Sequence, residues 1–228
     1  MAAADSEALG PFLEAISLAS GDVLFEPGAP VEWVYFPLTS VLSIVNVMKD
    51  GRTVESDTVG NESVVGVLNA LGSRVAVNRT FVQIAGEAVR APATALEAQA
   101  VGSPNFLRLL IRHTQINLAQ AHQSVACNAL HPVLPRLCRW LLLSQDRTDS
   151  DVVRLTQDYL ATMLGVQRTT VTQAMTTLKS GRLINYTRGK IRILDRAGIE
   201  DLACECYADG QVHLRSLGAG RIGRTGID

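Results

Sequence analysis

The sequence predicts an α+β fold of two modest domains joined by a long helix. Three observations carry this reading. Short β-rich runs separated by turn residues fill the chain to about residue 100, a long stretch without Gly or Pro follows, and two short helices with a hairpin close the ordered part. At 228 residues there is room for two cores, since a single one runs to about 100 to 200 residues.

The β-rich runs are Val31 to Phe36, Val41 to Val47, Arg52 to Val59, Val75 to Ile84 and Glu87 to Arg90. Pro27-Gly28, Pro37, Asp50-Gly51, Gly60-Asn61 and Gly72-Ser73 punctuate them, and Asp50-Gly51 is a strong hairpin signal. The expectation is a small antiparallel β-roll, with residues 1–104 forming a first domain.

Ser103-Pro104 opens the long helix, Ser103 as cap and Pro104 at the first helical position. Phe106, Leu109, Leu110, His113 and Ile116 make an apolar stripe interrupted by one His, and Asn117, Gln120, Gln123 and Ser124 beyond it are polar. Such a helix either forms a dimer seam, where a polar residue sets register, or packs on its own β-roll. Residues 105–130 are read as dimerisation helix and hinge, the hinge lying between Cys127 and His131.

His131-Pro132 restarts the chain, and Val133, Leu134, Leu137, Trp140 and Leu141 recur at helical spacing. From Leu155 to Leu194 the pattern is that of a winged helix-turn-helix. Thr156 caps a first short helix with Leu160 and Leu164 inward, Ala161 leaves room for a crossing helix, and Gly165 makes the turn. Val166 fills the corner. The second helix buries Val171, Ala174 or Met175, and Leu178. Its other face presents Arg168, Thr169, Thr170, Thr172, Gln173 and Thr176, rich in hydrogen-bonding groups and free of acids. In a major groove an Arg pairs with guanine and a Gln with adenine, so Arg168 and Gln173 are the base-reading candidates. Thr169, Thr170 and Thr172 suit phosphate oxygens or a thymine methyl. Ile184, Tyr186, Ile191 and Ile193 share a buried face of the hairpin around Arg188-Gly189, which leaves Arg188 and Lys190 at its tip beside the backbone. A solvated tip has the same composition. The winged helix-turn-helix domain is set at residues 131–207. Asp195 caps a last helix carrying Ile199, Leu202 and Cys206, and residues 208–228 are expected to be a flexible, Gly-rich tail.

Charge is segregated along the chain. Residues 1–104 hold 5 Lys+Arg against 12 Asp+Glu, whereas residues 131–196 hold 11 against 5, a swing from −7 to +6 within a formal net charge of −1. A basic module beside an acidic one is suited to a polyanion, and chance surface composition is the alternative.

The chain resembles the Crp/Fnr family of bacterial transcription regulators over nearly its whole length. GDVLFEPGAPVEWVYFPLTSVLSIV resembles the opening strands of that family's cyclic-nucleotide-binding-like β-roll, a double-stranded β-helix. LTQDYLATMLGVQRTTVTQAMTTLKSGRLINYTRGKIRILDRAG resembles its winged helix and is the more specific match. The resemblance implies a homodimer formed through the long helix, binding a two-fold-related site on double-stranded DNA and contacting RNA polymerase. The family's base-contacting Arg falls on Arg168, but Thr169 and Gln173 stand where many members have Glu and a second Arg, so their half-site is not carried over. Members that bind a cyclic nucleotide use a Gly-Glu pair and an Arg before a small hydroxyl residue. Here Gly66-Val67 lacks the carboxylate, and Arg79-Thr80 is displaced by one residue, which turns a strand side chain to the opposite face. Gly66, Arg79 and Thr80 are nevertheless the candidate positions for a small-molecule effector.

Other chemistries find little support. The chain has no Cys before Cys127, which removes the family's amino-terminal iron–sulfur cluster, and no haem ligand stands out. Cys204 and Cys206 form a CxC pair, too few for four soft ligands, so free buried thiols are expected and no metal or cofactor is assigned. An oxygenase built on the β-roll would need imidazoles, yet His113, His122, His131 and His213 all lie outside it, and no nucleophile has a His partner in an evident motif. A non-enzymatic regulator is expected. The remaining alternative is a ligand-binding module that acts through protein partners, with the winged helix as a docking surface.

No apolar run approaches the roughly 18 residues of a membrane span, and MAAADSEALG is acidic, without the basic head and apolar body of a secretory signal. A cytoplasmic protein follows as the expectation, consistent with four cysteines, Cys127, Cys138, Cys204 and Cys206, that lack framework spacing and read as free thiols.

Overall fold

A computed structural model describes residues 3–148 and 150–216. The chain divides into two compact units. One takes the chain up to Ile44 together with Thr58–Gln120, and the other takes Val45–Asp57 and the chain from Ala121 onward. The division therefore falls inside the long helix, and the outer part of one β-hairpin is grouped with the second unit.

The chain opens with helix α1 (Ala3–Leu9) and a 3-10 turn (Gly10–Phe12), then strands β1 (Glu14–Leu18), β2 (Val23–Phe25), β3 (Trp33–Pro37), β4 (Val41–Val47) and β5 (Thr53–Val59). Helix α2 (Val67–Leu71), strands β6 (Arg79–Ile84) and β7 (Gly86–Pro92), helix α3 (Ala93–Gly102) and helix α4 (Pro104–Leu130) follow. The strands form two sheets, in the orders β1-β7-β3 and β2-β6-β4-β5. This is the expected antiparallel roll, with β7 pairing antiparallel to both β1 and β3. The alternation of the strands explains its two cores. On β3, Tyr35 points into a cluster that draws on all seven strands, including Phe25, Leu42 and Val82, while Val34 points into a second cluster with Val67, Leu96, Phe106 and Leu110 from the helices.

Several elements depart from the sequence reading. Residues 93–102, taken as the end of the β region, are helical, because Ala, Leu, Glu and Gln favour a helix and Leu96 and Ala100 gain a buried face. The strand read from Val75 begins only at Arg79, and Val77 is 78% exposed. Strands β1 and β2 lacked a strong periodic signal and are held by their partners.

On α4, Ser103 caps as expected, its hydroxyl accepting from the Phe106 amide at 3.2 Å. Phe106 and Leu110 are buried, but Leu109 is 37% exposed, so the inward stripe continues through His113 to polar Asn117 instead. His113 Nε2 accepts from the Val64 backbone amide at 3.1 Å and lies 2.8 Å from Ser63 Oγ, which reaches Asn117 Oδ1 at 3.0 Å. A backbone amide only donates, so Nε2 is an acceptor and His113 is neutral with its proton on Nδ1.

The second unit contains α5 (Val133–Thr148), β8 (Val152–Arg154), α6 (Gln157–Leu164), α7 (Arg168–Ser180), β9 (Ile184–Thr187), β10 (Lys190–Ile193), α8 (Arg196–Leu202) and α9 (Cys206–Ser216). Leu137, Leu141, Leu160, Leu178, Ile184 and Ile199 lose essentially all contact with solvent. Strand β8, absent from the sequence reading, completes a sheet of order β8-β10-β9. Asp195 caps α8 through the Gly198 amide as expected. The single last helix does not hold: α8 stops at Leu202, where the Ala203 amide closes on Ile199 and Glu200 carbonyls, and a new helix starts at Cys206. Residues 208–216, read as the start of a tail, are part of α9, and the rest of that tail lies outside the described residues. Buried Asp146 secures this end, accepting from Arg196 at 2.8 Å, Tyr207 at 2.8 Å and Gln211 at 3.1 Å.

Burial lowers the pKa of His113 below its ordinary value of 6.5, with the Glu62 carboxylate opposing more weakly. Its contribution to stability is therefore complete above about pH 6.5 and is lost as the pH falls toward the depressed folded value, because the unfolded chain takes up the proton first. Urea unfolding between about pH 7.5 and pH 5 should show this loss, and His113→Gln should flatten it.

Candidate nucleic-acid interface

The Thr156 hydroxyl accepts from the Tyr159 amide at 3.2 Å and starts α6. Gly165 ends it in the left-handed conformation, φ 62°, while the Val166 amide returns to the Ala161 carbonyl at 3.0 Å. A side chain at that φ is disfavoured, so the Gly sets the sharp corner. Helix α7 then buries Val171, Ala174, Met175 and Leu178. With 3.6 residues per turn, that choice leaves Arg168, Thr169, Thr172, Gln173 and Thr176 exposed and Thr170 half-buried.

No side chain caps the N-terminus of α7, and while the Thr170 amide closes on the Gln167 carbonyl at 3.0 Å, the Arg168 and Thr169 amides at the start of the helix are suited to a phosphate. The Arg168 guanidinium lies 3.1 Å from Asp158 on α6, with both side chains about two-thirds exposed. Such a pair is worth no more than about 1 kcal/mol, little against a bidentate bond to a base. Thr172 Oγ1 reaches Gln157 Oε1 and the Arg168 carbonyl, both at 3.0 Å, and Thr176 bonds back to the Thr172 carbonyl at 2.8 Å. These bonds hold the hydroxyls in place on the helix surface.

The wing hairpin turns on Arg188 and Gly189, both left-handed at φ 45° and 76°. This is the backbone of a tight two-residue turn matched to strand twist. Ile184, Ile191 and Ile193 are buried and Tyr186 half-buried beneath, with Arg188 and Lys190 exposed.

The basic balance of this region overstates what a polyanion meets. Arg136 and Arg147 are buried, and Arg196 is engaged with Asp146. Arg154, Arg168, Lys179, Arg182, Arg188, Lys190 and Arg192 are exposed. Arg136 is a residue the sequence reading did not single out: its guanidinium donates to the Leu164 carbonyl at 2.5 Å and to Asn128 Oδ1 at 2.7 Å. It thereby joins the end of α4 to the last turn of α6. Burial lowers its pKa, and no periodic pattern marks such a role.

The effector candidates in the first unit are placed as follows. Gly66 has φ 93°, and a Cβ there would stand 3.0 Å from the Trp33 carbonyl and 3.2 Å from the Phe25 ring. Thr80 is buried opposite Phe25, while Arg79 lies 3.1 Å from Glu26 on the other side of the strand. The four cysteines are free and buried, as the sequence reading expected, but Cys127 and His131 join Cys204 and Cys206 in one cluster of four ligand groups that it did not foresee.

The fold is that of a winged helix-turn-helix protein, and comparison with known proteins supports a DNA-binding transcription regulator. Residues 135–202 match the Crp-like helix-turn-helix domain. The chain is 27% identical over 199 residues to the transcriptional regulator SdrP of Thermus thermophilus, covering 83% of this chain and 94% of that protein. A solved transcriptional regulator of the CRP/FNR family, also from Thermus thermophilus, is 25% identical, with a TM-score of 0.68 over 83% of this chain and 98% of that one. FixK2 from Bradyrhizobium japonicum shares the fold at a TM-score of 0.71 and 18% identity, over 84% and 98% of the two chains. Residues 135–202 thus carry a Crp-like helix-turn-helix domain, and the chain is similar over most of its length to transcription regulators of the Crp/Fnr type. Both Thermus thermophilus proteins are transcriptional regulators. Among the described residues no helix is long and apolar enough to cross a membrane.

Arg136→Met retains the aliphatic stem but leaves the Leu164 carbonyl and Asn128 without their donor. An orphaned buried acceptor costs about 1 to 3 kcal/mol, which denaturant unfolding of the variant should show.

Proposed function

We propose that the chain acts as a homodimer whose two copies of α7 read a two-fold-related site on double-stranded DNA. The observation that carries this is the outward face of α7, where Arg168, Thr169, Thr172, Gln173 and Thr176 are exposed with no acid among them. Arg168 and Gln173 read bases, Thr169, Thr170 and Thr172 meet phosphate or a thymine methyl, and Arg188 and Lys190 hold the backbone from the wing. RNA polymerase is the expected protein partner, on the pattern of the family.

A second observation favours α4 as the seam between copies. Leu107, Ile111, Leu118 and Val125 are 37%, 57%, 55% and 69% exposed, and they recur at spacings of four, seven and seven residues. With Thr114 and Ala121 between them and Asn128 after Val125, this is the heptad register of a helix pair, on a face about a quarter-turn round the helix from Phe106, Leu110 and His113. Asn128 is the polar member of that register.

Two recognition helices on one duplex must sit about 34 Å apart. A signal acting on the β-roll, at Gly66, Arg79 and Thr80, or on α4 would shift the hinge between Cys127 and His131 and change that spacing. His113 links the Ser63–Val64 segment to α4 on the first side, and Arg136 links α4 to α6 on the second.

Arg168→Ala should cost about 1 to 3 kcal/mol of specific binding and relax preference at one base pair per half-site, whereas Lys190→Ala should weaken all sequences alike. Titration of specific and random duplexes measures both, and equal losses on the two would refute the division of roles. Affinity should also fall steeply with salt, which a protein-docking surface would not show. Pairing Ile111→Glu with Leu118→Glu should give monomers by analytical ultracentrifugation and abolish binding to the full site, while Arg168→Ala stays dimeric. A dimer that survives the double change places the seam elsewhere.

A further inference from the structure

Cys127 and His131, four residues apart near the end of α4, meet Cys204 and Cys206 from the corner between α8 and α9. One ligand atom from each of the four lies within 4.8 Å of all the others. We propose that these four residues form a closed, four-coordinate zinc site that belongs to the second unit and lies outside the DNA-reading surface.

Two of the six edges match a single tetrahedral ion, and the other four lie within 4.8 Å. With zinc–sulfur bonds of about 2.3 Å and zinc–nitrogen bonds of about 2.0 to 2.1 Å, the edges of the tetrahedron are about 3.8 Å between sulfurs and about 3.6 Å from sulfur to nitrogen. Cys127 Sγ is 3.6 Å from Cys204 Sγ, and Cys206 Sγ is 3.5 Å from His131 Nδ1. A multi-iron cluster spreads its ligands over separate irons and needs a wider frame. Three thiolates and one imidazole form a soft donor set that suits zinc over the harder divalent ions.

The surrounding groups are those a ligand set requires and packed thiols do not. His131 directs Nδ1 at the sulfurs while Nε2 stands 3.1 Å from the Glu205 carboxylate, the outer partner that fixes a metal-binding imidazole in orientation and tautomer. The Gln123 amide donates to Cys206 Sγ at 3.0 Å. Zinc with three thiolates and a neutral imidazole carries a net charge of −1, and the Arg136 and Arg139 guanidinium groups act on Cys127 from nearby. All three cysteines are buried. Four protein ligands leave no position for water, so the site is structural or regulatory, and metal binding is linked to the stability of the unit. The sequence reading saw only the CxC pair. The other half of the set, Cys-x-x-x-His, is supplied by a helix more than seventy residues earlier, as the sequence separation of the Cys127–Cys204 contact shows.

The test uses the full chain, reduced and then loaded with zinc or cobalt. We expect one zinc per chain by elemental analysis. Cobalt should give the intense visible bands of a tetrahedral ion with thiolate-to-metal charge transfer. Against a chromogenic chelator, Cys204→Ser and Cys206→Ser should each lose at least about 10-fold in affinity, and Glu205→Gln about 10-fold. Cys138→Ser, a buried thiol outside the cluster, should bind as the parent does. If the ligand variants fail to fold, the parent's cobalt spectrum and the Glu205→Gln titration decide. The proposal is overturned if the reduced chain takes up no metal, if cobalt shows no thiolate charge transfer, if Cys204→Ser and Cys206→Ser retain full affinity in folded protein, or if iron and sulfide occupy the residues. A Cys127–Cys204 disulfide that reforms in place of metal uptake would overturn it in favour of a redox pair.

Discussion

Burial of Val171, Ala174, Met175 and Leu178 is the constraint on which the winged helix-turn-helix depends. A helix turns through a fixed angle per residue, so placing those four against the core leaves Arg168, Thr169, Thr172, Gln173 and Thr176 no direction but outward. Gly165 fixes where the helix begins, and Asp158, Gln157 and the carbonyls of α7 itself hold the outward side chains in place. None of these surface bonds is strong, which suits groups proposed to exchange them for bases and phosphates. Rigidity comes from the apolar side, and readiness to bind from the weakly held polar side.

Buried polar side chains do a different job from the apolar core, joining elements that hydrophobic contact alone would leave free to slide. Directional bonds select one arrangement among many of similar packing energy. His113 ties α4 to the Ser63–Val64 segment, Arg136 ties α4 to α6, and Asp146 gathers Arg196, Tyr207 and Gln211. Two of the three lie on α4 or contact it. That helix has one face committed to its own β-roll and another bearing exposed Leu107, Ile111, Leu118 and Val125, and it ends in the cluster of Cys127, His131, Cys204 and Cys206.

The order of the fold, the winged helix-turn-helix, its caps at Thr156 and Asp195 and the wing turn at Arg188-Gly189 were all legible in the sequence. Each rests on local physics: side-chain periodicity, capping oxygens and the tolerance of Gly for positive φ. The face of α7 was legible for the same reason. Strands β1, β2 and β8 were not, because a short strand is held by its neighbours more than by its own residues. Helix α3 was missed where a run of small residues continued out of the β region, and the last helix was taken as one because the corner at Ala203 carries neither Gly nor Pro.

By itself, then, the sequence determined the periodic elements and the polar surface that one of them displays, since both follow from residues within a few positions of one another. Tertiary structure decided which charges remain for a polyanion, withdrawing Arg136, Arg147 and Arg196 into the interior or into ion pairs. It also decided that Cys127 and His131 meet Cys204 and Cys206. Burial and coordination depend on partners distant along the chain, and only the closing of α8 and α9 against the end of α4 brings those partners within reach.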